Sequence, residues 1–168
     1  FVRANLENAN FKNADLRQVN FYSANLTNAD LSGADLRKAF LGGADLSNAN
    51  LSGANLTGID LTGVDLRETD LEGSILTGAN LSGVDLTEAN LKGTNFAGAN
   101  LTEADLRGAN LNQTVLINAD LTDAKIEQGK LGQALVCNTK TIDGSVSGCD
   151  LSGRNLTGVD LRGVDLRE

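Results

Sequence analysis

The sequence contains no histidine, proline, methionine or tryptophan, and only 4% of its 168 residues are aromatic. Histidine is the commonest general base and the commonest metal ligand in proteins, so its absence removes the usual basis of both kinds of site. The chain also has no nucleophile paired with a base, no cluster of metal ligands and no phosphate-binding loop. We therefore expect a protein that is not an enzyme and that holds no metal or cofactor.

Long apolar stretches are also missing, although 40% of the residues are hydrophobic. A membrane-spanning helix needs roughly 18 or more consecutive apolar residues, and no segment approaches that length. We therefore expect no membrane insertion. With so few bulky aromatic side chains, a conventional globular core is also not expected.

One apolar residue recurs with a fixed period instead. Every fifth residue from Phe1 to Leu131 is Leu, Phe or Ile. A period of five matches neither an α-helix nor a β-strand, whose side chains repeat at 3.6 and 2 residues. The repeating unit, called a pentad below, consists of a small residue, Asp or Asn, Leu, a polar residue, and Gly or Asn. Two examples are Ala34-Asp35-Leu36-Arg37 and Ala54-Asn55-Leu56-Thr57-Gly58.

Four pentads, each forming one extended side and one corner, would close a coil of 20 residues, with coils stacked about 4.8 Å apart. The pentads resemble the A(D/N)LxG repeats of the pentapeptide-repeat family. This resemblance implies an all-β fold, a right-handed quadrilateral parallel β-helix, and the right-handed rule for parallel crossovers agrees with it. The first and third residues of each pentad would face inward, and the second and fourth would face outward.

The fifth residue of each pentad forms the corner, where Gly and Asn tolerate the positive φ of a type II turn. The second residue, Asp or Asn, is suited to hydrogen bonds with nearby backbone. Larger residues occupy the fifth position at several corners, and there we predict a different type of turn without positive φ. These corners are Lys38, Glu68, Glu88, Glu103 and Gln113.

The repeat is interrupted between residues 127 and 147 and then resumes in phase. Two interpretations are open: a degenerate turn of the coil, which the preserved phase favours, or a short helix and loop inserted between coils. We favour the insert, although Gly129 and Gly132 weaken a helix there. The predicted organisation is a single domain with a coil over 1–126, an irregular or helical insert over 127–149 and a final coil over 150–168.

The two cysteines of the chain, Cys137 and Cys149, flank the turn-rich part of this interruption. We predict a disulfide between them, stabilising by roughly 3 kcal/mol for a loop near this length; two reduced, unrelated thiols are the alternative. The segment also looks like the paired-cysteine tail of pentapeptide-repeat proteins in cyanobacteria and the chloroplast lumen. A disulfide would imply an oxidising compartment, the thylakoid lumen or the periplasm. Because residue 1 is Phe, we expect the natural N-terminus, with any targeting signal, to precede it.

Residues 20 apart stack on one side of the predicted coil, so outward columns can be read from the sequence. One such column is acidic and comprises Asp45, Asp65, Asp85 and Asp105. It is either a cation site or docking stripe, or a row of backbone-bonded turn residues. The net charge of −8 disfavours direct binding of nucleic acid.

A second group of outward positions is apolar, and it comprises Ile75, Ala97, Val115 and Ile117. Clustered exposed apolar groups usually mark a contact surface. These residues are therefore a candidate interaction surface, unless the segment after residue 127 folds back over them. Phe40 is a separate apolar exception on another side.

These observations favour a non-catalytic structural or interaction module whose partner is a protein. The family resemblance implies one alternative, because some pentapeptide-repeat proteins imitate duplex DNA and bind type II topoisomerases, protecting against quinolones. Acidity and a rod shape are compatible with that role.

Overall fold

The structure is a computed structural model and describes residues 1–149. Its backbone forms stacked coils in which the second residue of a pentad makes a parallel bridge to the residue 20 positions later. Within residues 1–149 this bridge is missing between Phe40 and Asp60 and between Asn110 and Lys130. These bridges run from Asn5 with Asn25 to Asp120 with Lys140. Four pentads therefore make one coil, as the family resemblance implies. Within residues 1–149 each parallel bridge involves single residues, and the one helical element is the 3₁₀ helix Lys130–Gln133.

Every backbone N–H of a typical pentad donates a hydrogen bond. In the pentad 44–48, the N–H of Ala44 closes the preceding corner on the Leu41 carbonyl at 2.8 Å. The N–H groups of residues 45, 46 and 48 donate to carbonyls of the neighbouring coils at 2.9 to 3.0 Å. The N–H of Ser47 donates to Oδ1 of Asp45 at 2.9 Å. Since proline lacks an N–H, a chain built from such pentads has no favourable place for it.

The inside of the coil is filled by the first and third residues of the pentads. Leu46 and Leu86 are fully buried, and Ala44 and Ala89 lie buried beside the ladders of Leu side chains. Where a hydroxyl replaces Ala, it donates to a main-chain carbonyl; Thr94, for example, donates to Leu71 at 2.7 Å. Burial of each Leu contributes roughly 1.5 to 3 kcal/mol.

The prediction for the five large corner residues is wrong. All of them have positive φ, with values of 62°, 57°, 59°, 59° and 60° for Lys38, Glu68, Glu88, Glu103 and Gln113. The corner is held by bonds between coils, as at Glu68, whose N–H donates to the Thr87 carbonyl at 3.0 Å. A different turn would break this register, so the strained conformation, costing roughly 1 to 2 kcal/mol, is retained.

The predicted helical insert after residue 127 is also wrong, because the coil continues in phase. Leu135 bridges Val115 and Lys140 bridges Asp120, both at the regular spacing of 20 residues. Helical structure is limited to the four-residue corner Lys130–Gln133, which follows Gly129 at φ 84°. The alternative of a degenerate coil turn is the one that the structure confirms, and it extends to Ile142, whose carbonyl accepts from Asp123 at 3.0 Å.

The chain then reverses. Thr141 donates to Ser145 at 2.8 Å, and Lys140 forms an antiparallel bridge with Val146. This return brings Cys149 to Cys137, and the two form a disulfide. The final coil predicted for residues 150–168 lies outside the described residues. No helix in the described part of the chain has the length and apolarity to cross a membrane.

Candidate interaction surfaces

The apolar group predicted as an exposed contact surface is buried for the most part. Val115 and Ile117 are 0% exposed and Ala97 is 3% exposed. They form a second, smaller core with Leu135 and Cys137, against which Cys149 packs. Ile75 is half-buried and lies outside this core. The prediction of an interaction surface here is therefore wrong for these three residues, and the alternative of a segment folding back over them fits the structure.

The acidic column is present, and its carboxylates accept hydrogen bonds from the backbone. The four aspartates are stacked by parallel bridges. In each of them Oδ1 accepts the N–H of the residue two positions later, at 2.9 to 3.3 Å. This is the arrangement expected of turn residues rather than of an open cation site. Within residues 1–149 no group of three or more acidic or cysteine side chains is placed to hold a metal ion.

Arginines also interrupt the column. Arg67 and Arg107 each bind the aspartate two residues before them at 2.6 Å, and Lys125 approaches Asp105 at 3.6 Å. The hydrogen bond from Arg107 is the main reason that the pKa of Asp105 is lowered to about 2. The Arg67 side chain likewise lowers the pKa of Asp65. Two of the four aspartates in the column, Asp65 and Asp105, are therefore paired with arginine.

A different surface exposes aromatic rings. Tyr22 and Phe40 are 51% and 62% exposed, and both lie on the side of the coil formed by the pentads centred on Phe21 and Leu41. They line a cleft of about 210 Å³, which we call the aromatic cleft. Its lining is Tyr22, Ala39, Phe40, Leu41, Gly42, Asp60 and Thr62.

Two departures from the pentad consensus create this cleft. Gly42 stands one coil above Tyr22 at a position where Ser, Thr or Arg is usual, and a Cβ there would lie 3.5 Å from Cδ2 of the tyrosine ring. The ring therefore rests against the glycine. Phe40 replaces the Asp or Asn that would accept the N–H two residues later, and in residues 1–149 the N–H of Gly42 has no acceptor.

Asp60 lies at the edge of the same cleft. Its Oδ1 accepts from the N–H of Thr62 at 3.0 Å, from the Thr62 hydroxyl, and from Nδ2 of Asn80 at 3.3 Å. The bond from the Thr62 hydroxyl is the largest cause that lowers the pKa of this carboxyl group, so the group is ionised at neutral pH. Its Oδ2 has no hydrogen-bond partner among the residues that the structure describes.

Sequence reasoning singled out Phe40 as an isolated exception and missed Tyr22 and Gly42. The available signal was a large outward residue followed 20 positions later by glycine at the same place in the pentad. That pairing leaves room for the ring over the next coil.

The comparisons with known proteins agree on the repeat. The family profile of pentapeptide repeats matches in eight copies, over residues 1–37, 29–67, 65–102, 99–135 and 145–168. No curated protein sequence matches the chain.

Several solved structures are similar to this chain. HetL, a pentapeptide repeat protein involved in heterocyst differentiation regulation in the cyanobacterium Nostoc sp. strain PCC 7120, is 28% identical over 88% of this chain and 89% of its own, with a TM-score of 0.39. A pentapeptide repeat protein from the Arabidopsis thaliana thylakoid lumen is 27% identical over 70% of this chain and 72% of its own, with a TM-score of 0.31. Full-length QnrB1, a plasmid-mediated fluoroquinolone resistance protein, is 18% identical over 98% of this chain and 90% of its own, with a TM-score of 0.44.

The family profile covers well over half of the chain, and the 20-residue coil of the structure has the pentad as its unit. The protein belongs to the pentapeptide repeat family.

Proposed function

We propose that this protein is a non-catalytic interaction module that binds a protein partner through the aromatic cleft. The observation that carries the proposal is the exposure of Tyr22 and Phe40 together at one cleft of the coil. Exposed apolar groups clustered on a rigid surface mark contact sites. Aromatic residues are also enriched at the centres of protein interfaces.

The proposal is tested by a double variant that restores the pentad consensus, Tyr22→Thr with Phe40→Asn. Because Thr and Asn are the usual residues at these two positions, the coil should keep its fold. Crosslinking followed by mass spectrometry, in extracts of the source organism, should give partner crosslinks for the parent protein that the double variant loses.

A matched control is Glu72→Ser with Lys92→Thr. This pair forms an exposed salt bridge on another side of the coil, at 2.8 Å, and its removal leaves the net charge unchanged. The control should retain the crosslinks. Equal crosslinking by the parent and the cleft variant would exclude the cleft as the contact surface.

The detailed geometry of the coil is part of the same proposal. We infer a right-handed, four-sided β-helix, supported by the four pentads in each coil and by the preference of parallel connections for a right-handed path. A crystal structure would test the handedness directly.

We also infer an oxidising compartment, such as the thylakoid lumen or the periplasm. The disulfide between Cys137 and Cys149 supports this inference, because disulfides persist mainly in such compartments. Titration with a thiol reagent should find no free thiol in native protein prepared without reductant. Two reactive thiols in that preparation would argue for a reducing compartment.

The DNA-imitating alternative is less well supported by the surface. An imitation of the phosphate backbone requires continuous negative charge. Arg67 and Arg107 instead pair with two of the four aspartates of the acidic column, and Lys125 follows its last aspartate. We therefore expect no protection of DNA gyrase from quinolones in a supercoiling assay.

A further inference from the structure

We infer that the aromatic cleft binds an arginine side chain from an extended segment of the partner protein. This inference rests on the proposed function and adds the chemistry of the ligand. Three groups in the cleft define that chemistry: the two aromatic rings, the Asp60 carboxylate and the Gly42 N–H. Each of these groups favours a different chemical feature in the ligand.

The rings require a flat or cationic group. In the described part of the chain, ring-to-ring contacts involve Phe1, Phe11 and Phe21, and no ring or cation stacks on Tyr22 or Phe40. The guanidinium group is planar and is attracted to the face of an aromatic ring within about 6 Å of its centre. An arginine can therefore lie against either ring with its aliphatic stem on the apolar floor.

Asp60 requires a hydrogen-bond donor and favours a positive one. Its Oδ1 already accepts three hydrogen bonds, which hold the carboxylate in a fixed orientation. Oδ2, which no described residue binds, is left to accept from a ligand. A guanidinium donates with geometry suited to carboxylate oxygens, and such charge-assisted bonds are roughly twice as strong as neutral ones. The net charge of −8 also attracts a cation from a distance.

The N–H of Gly42 is free to donate to a ligand acceptor, which a simple cation lacks. A peptide carries a main-chain carbonyl beside its arginine side chain, so one residue of an extended segment supplies both groups. An anionic ligand such as a nucleic acid would place phosphate against the Asp60 carboxylate and is disfavoured. A carbohydrate is uncharged, and its hydroxyl groups could also bind the N–H and the carboxylate. The experiment below therefore includes a carbohydrate.

The chain provides its own probe for this test. Tyr22 is the single tyrosine and there is no tryptophan, so the intrinsic fluorescence of the protein reports on the cleft. We would titrate the full chain with the blocked peptide acetyl-Gly-Arg-Gly-amide, with the same peptide carrying neutral citrulline in place of Arg, and with cellotetraose. The amide signals would be followed in parallel by ¹⁵N NMR.

The arginine peptide should change the Tyr22 fluorescence and shift the Gly42 amide proton downfield, with a Kd on the order of 1 mM for so small a ligand. The citrulline peptide should bind about tenfold more weakly, because it keeps the shape and loses the charge. Equal binding of the two peptides, or tighter binding of cellotetraose, would overturn the inference.

Asp60→Asn should reduce arginine-peptide affinity by about tenfold while leaving the fold unchanged, because Asn is common at this position and keeps an Oδ1 acceptor. Asp120→Asn is the matched control, since Asp120 lies in the same column and also accepts from the threonine two residues later. It should bind the peptide as the parent does.

The outcomes distinguish failure of the arginine assignment from failure of the proposed interaction surface. Loss of partner crosslinks in the cleft variant without arginine-peptide binding would refute the arginine assignment and leave the interaction surface standing. Peptide binding without any effect of the cleft variant on crosslinks would refute the proposed function. An Asp60→Asn variant that binds as well as the parent would overturn the inference.

Discussion

At the scale of single residues, the main role of the Asp or Asn in a typical pentad is to accept a hydrogen bond from the backbone. Its Oδ1 accepts the N–H two residues later, in pentads as different as those of Asn25 and Asp85. The amide and the carboxylate are interchangeable for this bond, which explains why both occur. Where Phe40 interrupts the pattern, an N–H is released and becomes available to a ligand.

The corner residue carries strain wherever it is not glycine. We predict that Glu68→Gly stabilises the protein by about 0.5 to 1 kcal/mol, because glycine relieves a positive φ of 57° at the expense of some unfolded-state entropy. Glu68 is exposed, so its side chain contributes little to packing.

The reciprocal change is Gly78→Ala. The corner has φ 65°, and nothing lies within 4 Å of an added Cβ, so any destabilisation, about 1 kcal/mol, comes from the backbone conformation alone. Urea denaturation of both variants measures the two effects. An unchanged midpoint for the alanine variant would show that the corners carry no strain.

At the scale of elements, the segment after residue 127 has a helical pattern in its sequence and adopts a coil in the structure. Leu131, Ala134 and Leu135 share a helical face in the sequence, but Gly129 and Gly132 remove much of the local preference. The preceding coil instead offers backbone partners in register, as Leu116 does when its N–H donates to Leu135 at 2.9 Å. Pairing between coils therefore decides the structure of this segment.

Reduction of the disulfide should loosen the end of this segment first. Cys137 and Cys149 close a loop with a sequence separation of 12, and the constraint contributes roughly 3 kcal/mol to the fold of the hairpin. Hydrogen exchange measured by mass spectrometry should show faster exchange over residues 137–149 after reduction, with protection retained from Leu26 to Leu121.

The double variant Cys137→Ser with Cys149→Ser serves as the control, because reductant should leave its exchange unchanged. Acceleration throughout the coil on reduction would mean that the Leu ladders depend on the disulfide, contrary to this expectation.

At the scale of the whole molecule, the coils form a nearly one-dimensional stack in which each coil contacts its neighbours. Deleting residues 66–85 removes a complete coil and joins Asp65 to Leu86, as it is now joined to Leu66. We expect this variant to fold cooperatively, with a smaller dependence of the unfolding free energy on urea because less surface is buried.

A shorter deletion, of residues 66–83, places two extra residues between Asp65 and Leu86. It removes less of the chain but breaks the register of 20 residues, so it should be the less stable variant. Thermal denaturation followed by circular dichroism compares the two. Higher stability of the shorter deletion would contradict the stacked-coil description.

Acid should destabilise the molecule through its aspartates. The pKa of Asp105 is about 2, below the value of about 3.9 expected in the unfolded chain, with its hydrogen bond from Arg107 as the main cause. A lowered pKa in the folded state contributes stability above pH 4, and this contribution is lost as the pH falls from about 4 to about 2.

Asp105→Asn keeps the backbone acceptor and loses the charge. It should be less stable than the parent at neutral pH by at most about 1 kcal/mol, and the difference should vanish near pH 2. Melting temperatures measured across this range test the prediction. A constant difference in melting temperature between parent and variant at all pH values would show that the ion pair does not contribute to the difference in stability.

The sequence by itself determined the features that repeat within a pentad. The period of five predicts the inward Leu46 and Ala44, and the pentad consensus indicates the family, because each of these follows from residues that are neighbours in the chain. The resemblance to that family in turn implies the coil of four pentads. The pairing of the two cysteines also followed from their place around one turn-rich segment.

Only the tertiary structure decided what depends on contacts between coils or with the returning segment. It sets a positive φ at Glu68 against the preference of that residue, continues the coil through Leu135, and buries Val115, which the pattern places outside. It also brings Tyr22 over Gly42 to form the cleft. These features are set by hydrogen bonds and packing between residues about 20 positions apart, whose energies outweigh the local preference of any one side chain.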